Sequence, residues 1–283
     1  MYKILEKKVW LSEEPAIKEF VLDAPDIARA HEAGQFIILI TDENGERIPL
    51  TIADSDAEKG TISILFQEVG KSTYCLGKLE AGDSIMHVAG PLGKPTHIDK
   101  DSTVVCVGGG IGIAPVHPIA KAMKAAGNRV ISILGARSKD LLIYEEKMRE
   151  ASTEVRITTD DGTYGRHGFV TDELKAIIEE EKIAVDTAVV IGPPMMMKFT
   201  CKVTEPHKIK TFASLNTIMV DGTGMCGACR VTVGGKTKFV CVDGPEFDGH
   251  QVDFDEMMMR QKQYLPEEKQ AYDHCKTHGC HKA

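Results

Sequence analysis

Over residues 1–98 the apolar positions come in short runs cut by polar turns. Gln35 to Ile40, Ile48 to Ala53, Gly60 to Val69 and Asp83 to Val88 carry the runs, and Asp42 to Gly45, Glu58 to Gly60 and Ala81 to Asp83 interrupt them. This pattern predicts antiparallel strands that close as a barrel. From Ser102 the rhythm changes. Thr103 to Val107, Val130 to Leu134, Val155 to Thr158 and Thr187 to Ile191 are short apolar strands, separated by helical stretches at Val116 to Ala126, Ile143 to Ser152 and Thr171 to Glu181. Strand and helix in alternation predict a parallel sheet with crossover helices. After Lys198 follow a polar segment with Pro206, a loop rich in glycine and cysteine, and Val231 to Val240, which predicts a hairpin turning on Gly234 and Gly235. The expected fold class is therefore β plus α/β, in three parts: a barrel over 1–98, an α/β domain over 99–210, and a small domain with a C-terminal tail over 211–283.

Composition adds mainly exclusions. The chain of 283 residues is 42 % hydrophobic and 27 % charged, and its mean hydropathy of -0.15 is ordinary for a globular protein. Its apolar stretches are too short to cross a bilayer, and Met1 to Ile4 lead straight into charged sequence, so neither a membrane span nor a secretory leader is expected. A formal charge of -8 argues against nucleic acid or an anionic membrane as partner. Eight cysteines fit a reducing, cytoplasmic location, where thiolates stay available to metals.

Asp221, Cys226, Cys229 and Cys241 stand as Asp-x4-Cys-x2-Cys-x11-Cys, the plant-type [2Fe–2S] spacing with a carboxylate where the first cysteine belongs. The intervening glycines let the backbone wrap closely, and Cys241 is expected to close the cage from the next strand. A structural zinc site or a few buried thiols is the alternative, although a zinc ribbon wants a second tight Cys-x-x-Cys pair and none follows. The tail from Tyr272 to His281 also holds His274, Cys275, His278 and Cys280. Its spacing matches no standard zinc set, and it reads as a solvated or subunit-facing tail, with metal binding as the alternative.

Gly108, Gly109, Gly110, Gly112, Ile113 and Pro115 join a predicted strand to a predicted helix. A dinucleotide pyrophosphate binds at such a junction, where glycines admit close approach and the helix start offers N–H groups, although the third glycine of the Rossmann fingerprint is missing and a tight structural turn is the plainer reading. Two further loops, with Asp160 and Asp161, and with Gly192, Pro193, Pro194 and Met195, follow strands of the same sheet. Either acid can accept from a ribose and repel a 2′-phosphate, favouring NAD(H); Arg137 pulls towards NADP(H). In the barrel, Arg47, Pro49, Leu50 and Thr51, with Gly70, Lys71, Ser72 and Thr73, offer donors for a flavin diphosphate, yet each group taken alone also fits a strand edge or a helix cap.

Together these residues resemble the ferredoxin-reductase superfamily, with Ala33 to Phe36, Gly90 to Gly93, Gly108 to Pro115 and Gly192 to Pro194 in the superfamily's order. Within it the chain is similar to two groups of electron-transfer subunits: those of dihydroorotate dehydrogenase, which carry four cysteines, and the small subunits of NADH-dependent reduced ferredoxin:NADP+ oxidoreductase, which Asp221 matches. The resemblance implies a ferredoxin-reductase-like fold, FAD, a [2Fe–2S] cluster and NAD(H) as cofactors, and no catalytic residue separate from them. It implies an electron-bifurcating heterodimer in which a larger flavin/[4Fe–4S] subunit handles ferredoxin and NADP(H). The superfamily's flavin motif sets Ser or Thr three residues after Arg, whereas Thr51 lies four after Arg47. The alternatives are a dihydroorotate dehydrogenase subunit and a non-catalytic scaffold stiffened by a cluster.

Overall fold

The computed structural model describes residues 1–280. Its first sheet comprises β1 (Tyr2–Leu11), β2 (Ile17–Asp23), β3 (Phe36–Ile40), β4 (Ile48–Asp56), β5 (Thr61–Gln67), β6 (Ser84–Ile85) and β7 (His87–Leu92), with α1 (Pro25–Ala30) and α2 (Lys71–Leu76) in the connections. The strand order is β6-β1-β2-β5-β4-β3-β7, antiparallel throughout. The two outermost strands, β6 and β7, are separated in the chain by Met86 alone, which draws the sheet's edges together into a nearly closed barrel. Phe20, Leu22, Ile37, Leu39, Ile52, Ile62, Ile64 and Phe66 fill it, each burial stabilising by about 1.5–3 kcal/mol before chain entropy is counted. The first two strands have no counterpart in the sequence reading, because Glu6, Lys7, Lys8, Lys18 and Glu19 break their apolar pattern.

The second sheet is built from β8 (Thr103–Gly109), β9 (Arg129–Ala136), β10 (Glu154–Thr159), β11 (Arg166–His167), β12 (Thr187–Ile191) and β13 (Lys210–Ser214), crossed by α3 (Ile113–Ala125), α4 (Glu145–Ala151), α5 (Val170–Lys175) and α6 (Pro194–Thr204). Beyond β13 come the hairpin β14 (Arg230–Val233) and β15 (Lys236–Phe239), α7 (Val240–Asp243), β16 (Glu246–Asp248), α8 (Phe254–Gln261) and α9 (Leu265–His278). The order is β11-β10-β9-β8-β12-β13-β16, parallel except for β16. Val104 to Val107 and Ala188 to Val190 are fully buried, as strands covered on both faces must be.

Strand β13 spans the expected limit at residue 210, and β16 pairs with it. The hairpin and α7 are thus an excursion between two strands of the second sheet. Cys241 lies in α7, not in a strand, because the chain turns helical directly after Phe239.

A buried carboxylate joins barrel to sheet. Glu19 on β2 accepts from Trp10 Nε1 at 2.8 Å, from the Tyr144 hydroxyl at 2.6 Å and from Lys147 Nζ at 3.1 Å. Burial first, then Glu19, raises the Tyr144 phenol well above its ordinary range, so it stays a donor.

Candidate functional site

The strand order reverses at β8, which lies between β9 and β12, and open α/β sheets bind ligands in the crevice outside the strand ends at such a point. A cleft of about 1720 Å³ lies there, lined by Gly109 and Gly110 at the end of β8, Arg137 after β9, Asp160 after β10, and Gly192 to Met195 after β12. The end of β1 and the turn that follows it, from Trp10 to Pro15, also line the cleft. At Gly110, φ is +55°, and a Cβ placed there would meet nothing within 4 Å, so the residue both makes the turn and leaves its face open. Gly108, Gly112 and Ile113 are buried beneath the loop, and a side chain at Gly112 would collide with the Ile191 carbonyl. Pro115 sits in the first turn of α3.

The two acids separate. Asp161 accepts from the Thr163 hydroxyl at 2.7 Å and the Thr163 N–H at 3.0 Å, which hold its carboxyl below the usual range. Asp160 is the acid that lines the cleft, together with Arg137. Lys175, Lys202 and His207 also line it. The sequence offered no local signal for these three, since they reach the cleft from α5, α6 and the turn after α6.

The cysteine loop packs against the barrel. Gly222 has φ +77°, and a Cβ there would come within 2.7 Å of Ile38 Cδ1 and 2.9 Å of Leu92 Cδ1. Asp221 Oδ1 accepts the Thr223 N–H and Oδ2 the Cys226 N–H, both at 2.9 Å. These bonds, Thr223 foremost, keep its carboxyl below the usual range. Cys229 and Cys241 are buried with their Sγ atoms 3.2 Å apart. Burial, then the adjoining Cys229 thiol, pushes Cys241 up to about 12, so it is a neutral thiol whose proton any metal bound there would have to displace. A two-iron cluster takes its ligands as two pairs, one pair on each iron. Of the four donors, Cys229 and Cys241 already stand as one such pair, while the Asp221 carboxylate is tied to the Cys226 N–H and the Cys226 thiol is exposed.

In the barrel, the Ser72 hydroxyl bonds the Glu46 carboxylate and so brings the segment of Arg47, Pro49, Leu50 and Thr51 beside the start of α2. Thr51 stands opposite Phe36 on β3. The Gly70 N–H is occupied by the Thr73 hydroxyl at 3.2 Å, which leaves it less available to a phosphate than the sequence reading supposed. None of these residues lines the large cleft.

Residues 106–202 match the oxidoreductase NAD-binding domain, and residues 216–253 match the iron–sulfur cluster binding domain of dihydroorotate dehydrogenase B. A Thermotoga maritima protein described as a dihydroorotate dehydrogenase B (NAD(+)) electron transfer subunit homolog is 46 % identical, covering 94 % of this chain and 93 % of its own length. The chain belongs to this family of electron-transfer subunits and their homologues. The Streptococcus mutans electron transfer subunit of dihydroorotate dehydrogenase B is 34 % identical over 85 % of this chain and 94 % of its own. Among solved structures, a chain of the NADH-dependent reduced ferredoxin-NADP oxidoreductase, studied for flavin-based electron bifurcation, is 42 % identical with a TM-score of 0.90, covering 96 % of this chain and 97 % of that one. The ferredoxin reductase of carbazole 1,9a-dioxygenase, at 18 % identity and a TM-score of 0.61, shares the fold. The ferredoxin-reductase-like architecture expected from the sequence is therefore the family's. Among the described residues, no helix is long and apolar enough to cross a membrane.

Proposed function

We propose that this chain is the electron-transfer subunit of a flavin-based electron-bifurcating NADH-dependent ferredoxin:NADP+ oxidoreductase, working between a larger flavoprotein partner and NAD(H). The observation that carries the reading is the likeness over the whole chain to the bifurcating oxidoreductase, at a TM-score of 0.90. Bound in this chain, a [2Fe–2S] cluster supplies one-electron exchange, FAD joins single electrons to pairs, and nicotinamide carries a pair as hydride.

Each part of the chain has a task in that scheme. Asp221, Cys226, Cys229 and Cys241 hold the irons, and the contact of Gly222 with Ile38 and Leu92 seats their loop on the barrel. Val220, Met225 and Val242 stand exposed around the loop, Met225 at 88 %, and form an apolar rim for the partner to cover. Arg47 and Lys71 counter the flavin's diphosphate, and Thr51 presents its hydroxyl from β4. Gly108 to Pro115 and Gly192 to Met195 receive the nucleotide's pyrophosphate and nicotinamide, while Asp160 bonds the ribose and repels a 2′-phosphate. Boundaries near residues 98 and 210 would separate these tasks along the chain, with β13 and β16 carrying the cysteine loop on the second sheet.

The second reading, a dihydroorotate dehydrogenase subunit, is favoured by the match at residues 216–253. Isolating the native complex and identifying its other chain separates the two. A flavoprotein that oxidises NADPH supports the first reading, and a dihydroorotate-oxidising one replaces it. NADH bleaching of a bound flavin excludes a scaffold.

A further inference from the structure

A second group of sulfurs lies apart from both the cleft and the cysteine loop. Cys75 on α2, Cys275 near the end of α9 and Cys280 just beyond it converge, their sulfur atoms all within 4.8 Å of one another. Among the described residues this is the one group of three or more metal-ligating side chains gathered so closely. Cys275 Sγ lies 3.2 Å from Cys75 Sγ and 3.3 Å from Cys280 Sγ, and Cys275 is 3 % exposed. Cys75 and Cys280 form a disulfide.

We propose that, in the reduced protein, Cys75, Cys275 and Cys280 bind a soft divalent cation of the zinc class and fasten α9 to α2. A disulfide needs two sulfurs and leaves a third buried thiol at the same point without a strong partner; a metal uses all three. Thiolates select zinc over magnesium or calcium. Tetrahedral Zn–S bonds of about 2.3 Å set sulfurs about 3.8 Å apart, so the two Cys275 separations need only widen by roughly half an ångström, while Cys75 and Cys280 move further apart once their bond is reduced. The surroundings hold the ligands in place. Tyr74 on α2 meets Tyr272 on α9 edge-on at 5.6 Å, and the Gly279 N–H bonds the Cys275 carbonyl at 2.9 Å where the chain turns to bring Cys280 back. The fourth position is left for water or another donor. His281, next in sequence, lies outside the described residues.

The chemistry balances simply. A thiol reductant supplies two electrons and two protons to open the Cys75–Cys280 bond, and the cation then displaces one proton from each of three thiols. Sequence spacing alone hid this group, because Cys75 and Cys280 are 205 positions apart.

The test uses full-length protein isolated anaerobically with a thiol reductant, with zinc and iron measured in the same sample. The proposal expects zinc stoichiometric with the chain in the wild type. Zinc should fall to background in C275S and in C75S/C280S while iron stays unchanged. X-ray absorption at the zinc edge of the wild type needs no variant and should show a sulfur-dominated shell. Wild type with full iron and no zinc overturns the proposal, as does zinc retained by both variants or bound mainly through nitrogen and oxygen. So does a Cys75–Cys280 disulfide that survives reduction, together with an unreacted Cys275 thiol.

Discussion

The nucleotide cleft and the cysteine loop are built in opposite ways. The cleft is a by-product of regular structure: four strands end in register, and their loops, with Gly110, Arg137, Asp160 and Pro193, open onto one space. The cysteine loop has little regular structure of its own and takes its shape from backbone bonds to Asp221 and from contact with Ile38 and Leu92. A site on strand ends tolerates side-chain change because its frame is set elsewhere. A site in a loop depends on its own ligands, so the two should fail differently.

The largest effect is expected at Cys229, buried 3.2 Å from Cys241. Cys229→Ser should remove most bound iron and cluster absorbance while NADH affinity changes less than twofold; loss of both together would mean that the two regions fold as one unit. Asp221→Cys should keep the iron and shift the cluster's spectrum and reduction potential, because ligand identity sets both. An unchanged potential would show that Asp221 is not a ligand.

Next in size is the junction between barrel and parallel sheet. Glu19→Ala removes the acceptor shared by Trp10, Tyr144 and Lys147, at a cost of about 2–4 kcal/mol in chemical unfolding. Glu19→Gln, which keeps an acceptor, should lose less. Equal losses would mean that packing and not hydrogen bonding joins barrel to sheet. A change confined to the cleft comes third. Asp160→Asn should narrow the preference for NADH over NADPH by about tenfold in flavin-reduction rate, corresponding to about 1.4 kcal/mol of repulsion. No preference in the wild type would make Arg137 the governing group.

The smallest effect concerns Glu246, on the strand that returns the chain from the cysteine loop to the sheet. It accepts from the Thr96 hydroxyl at 2.6 Å, and burial raises its carboxyl to about 7. A carboxyl raised on folding binds its proton more tightly in the folded state, so its contribution to stability is full below the ordinary carboxylate range and is lost as pH rises through about 7. Glu246→Gln should flatten the decline in unfolding free energy between pH 5 and pH 8, and an unaltered slope would place its origin elsewhere.

Legibility in the sequence followed the same division. The parallel strands and the glycine junction could be read because apolar runs alternate with loop residues along the chain, and the proposal for Asp221, Cys226 and Cys229 could be made because their spacing is local. Strands β1 and β2 were hidden by charged residues, and β13 by the polar start Lys210-Thr211. Asp161 could not be told from Asp160, since only the folded loop turns one back onto Thr163. The tail read as solvated or subunit-facing forms α9, which packs on α2 through Tyr272 and Cys275; nothing near it in sequence announces Tyr74 or Cys75.

The most direct test of the central claim is electron accounting in the native complex. Under anaerobic conditions, NADPH, oxidised ferredoxin and NAD+ are mixed with the complex, and both reduced products are followed together. The account predicts that electrons from NADPH divide equally between ferredoxin and NAD+, and that omitting either acceptor stops reduction of the other. Reduction of NAD+ driven by dihydroorotate, with no ferredoxin reduced from NADPH, would contradict it.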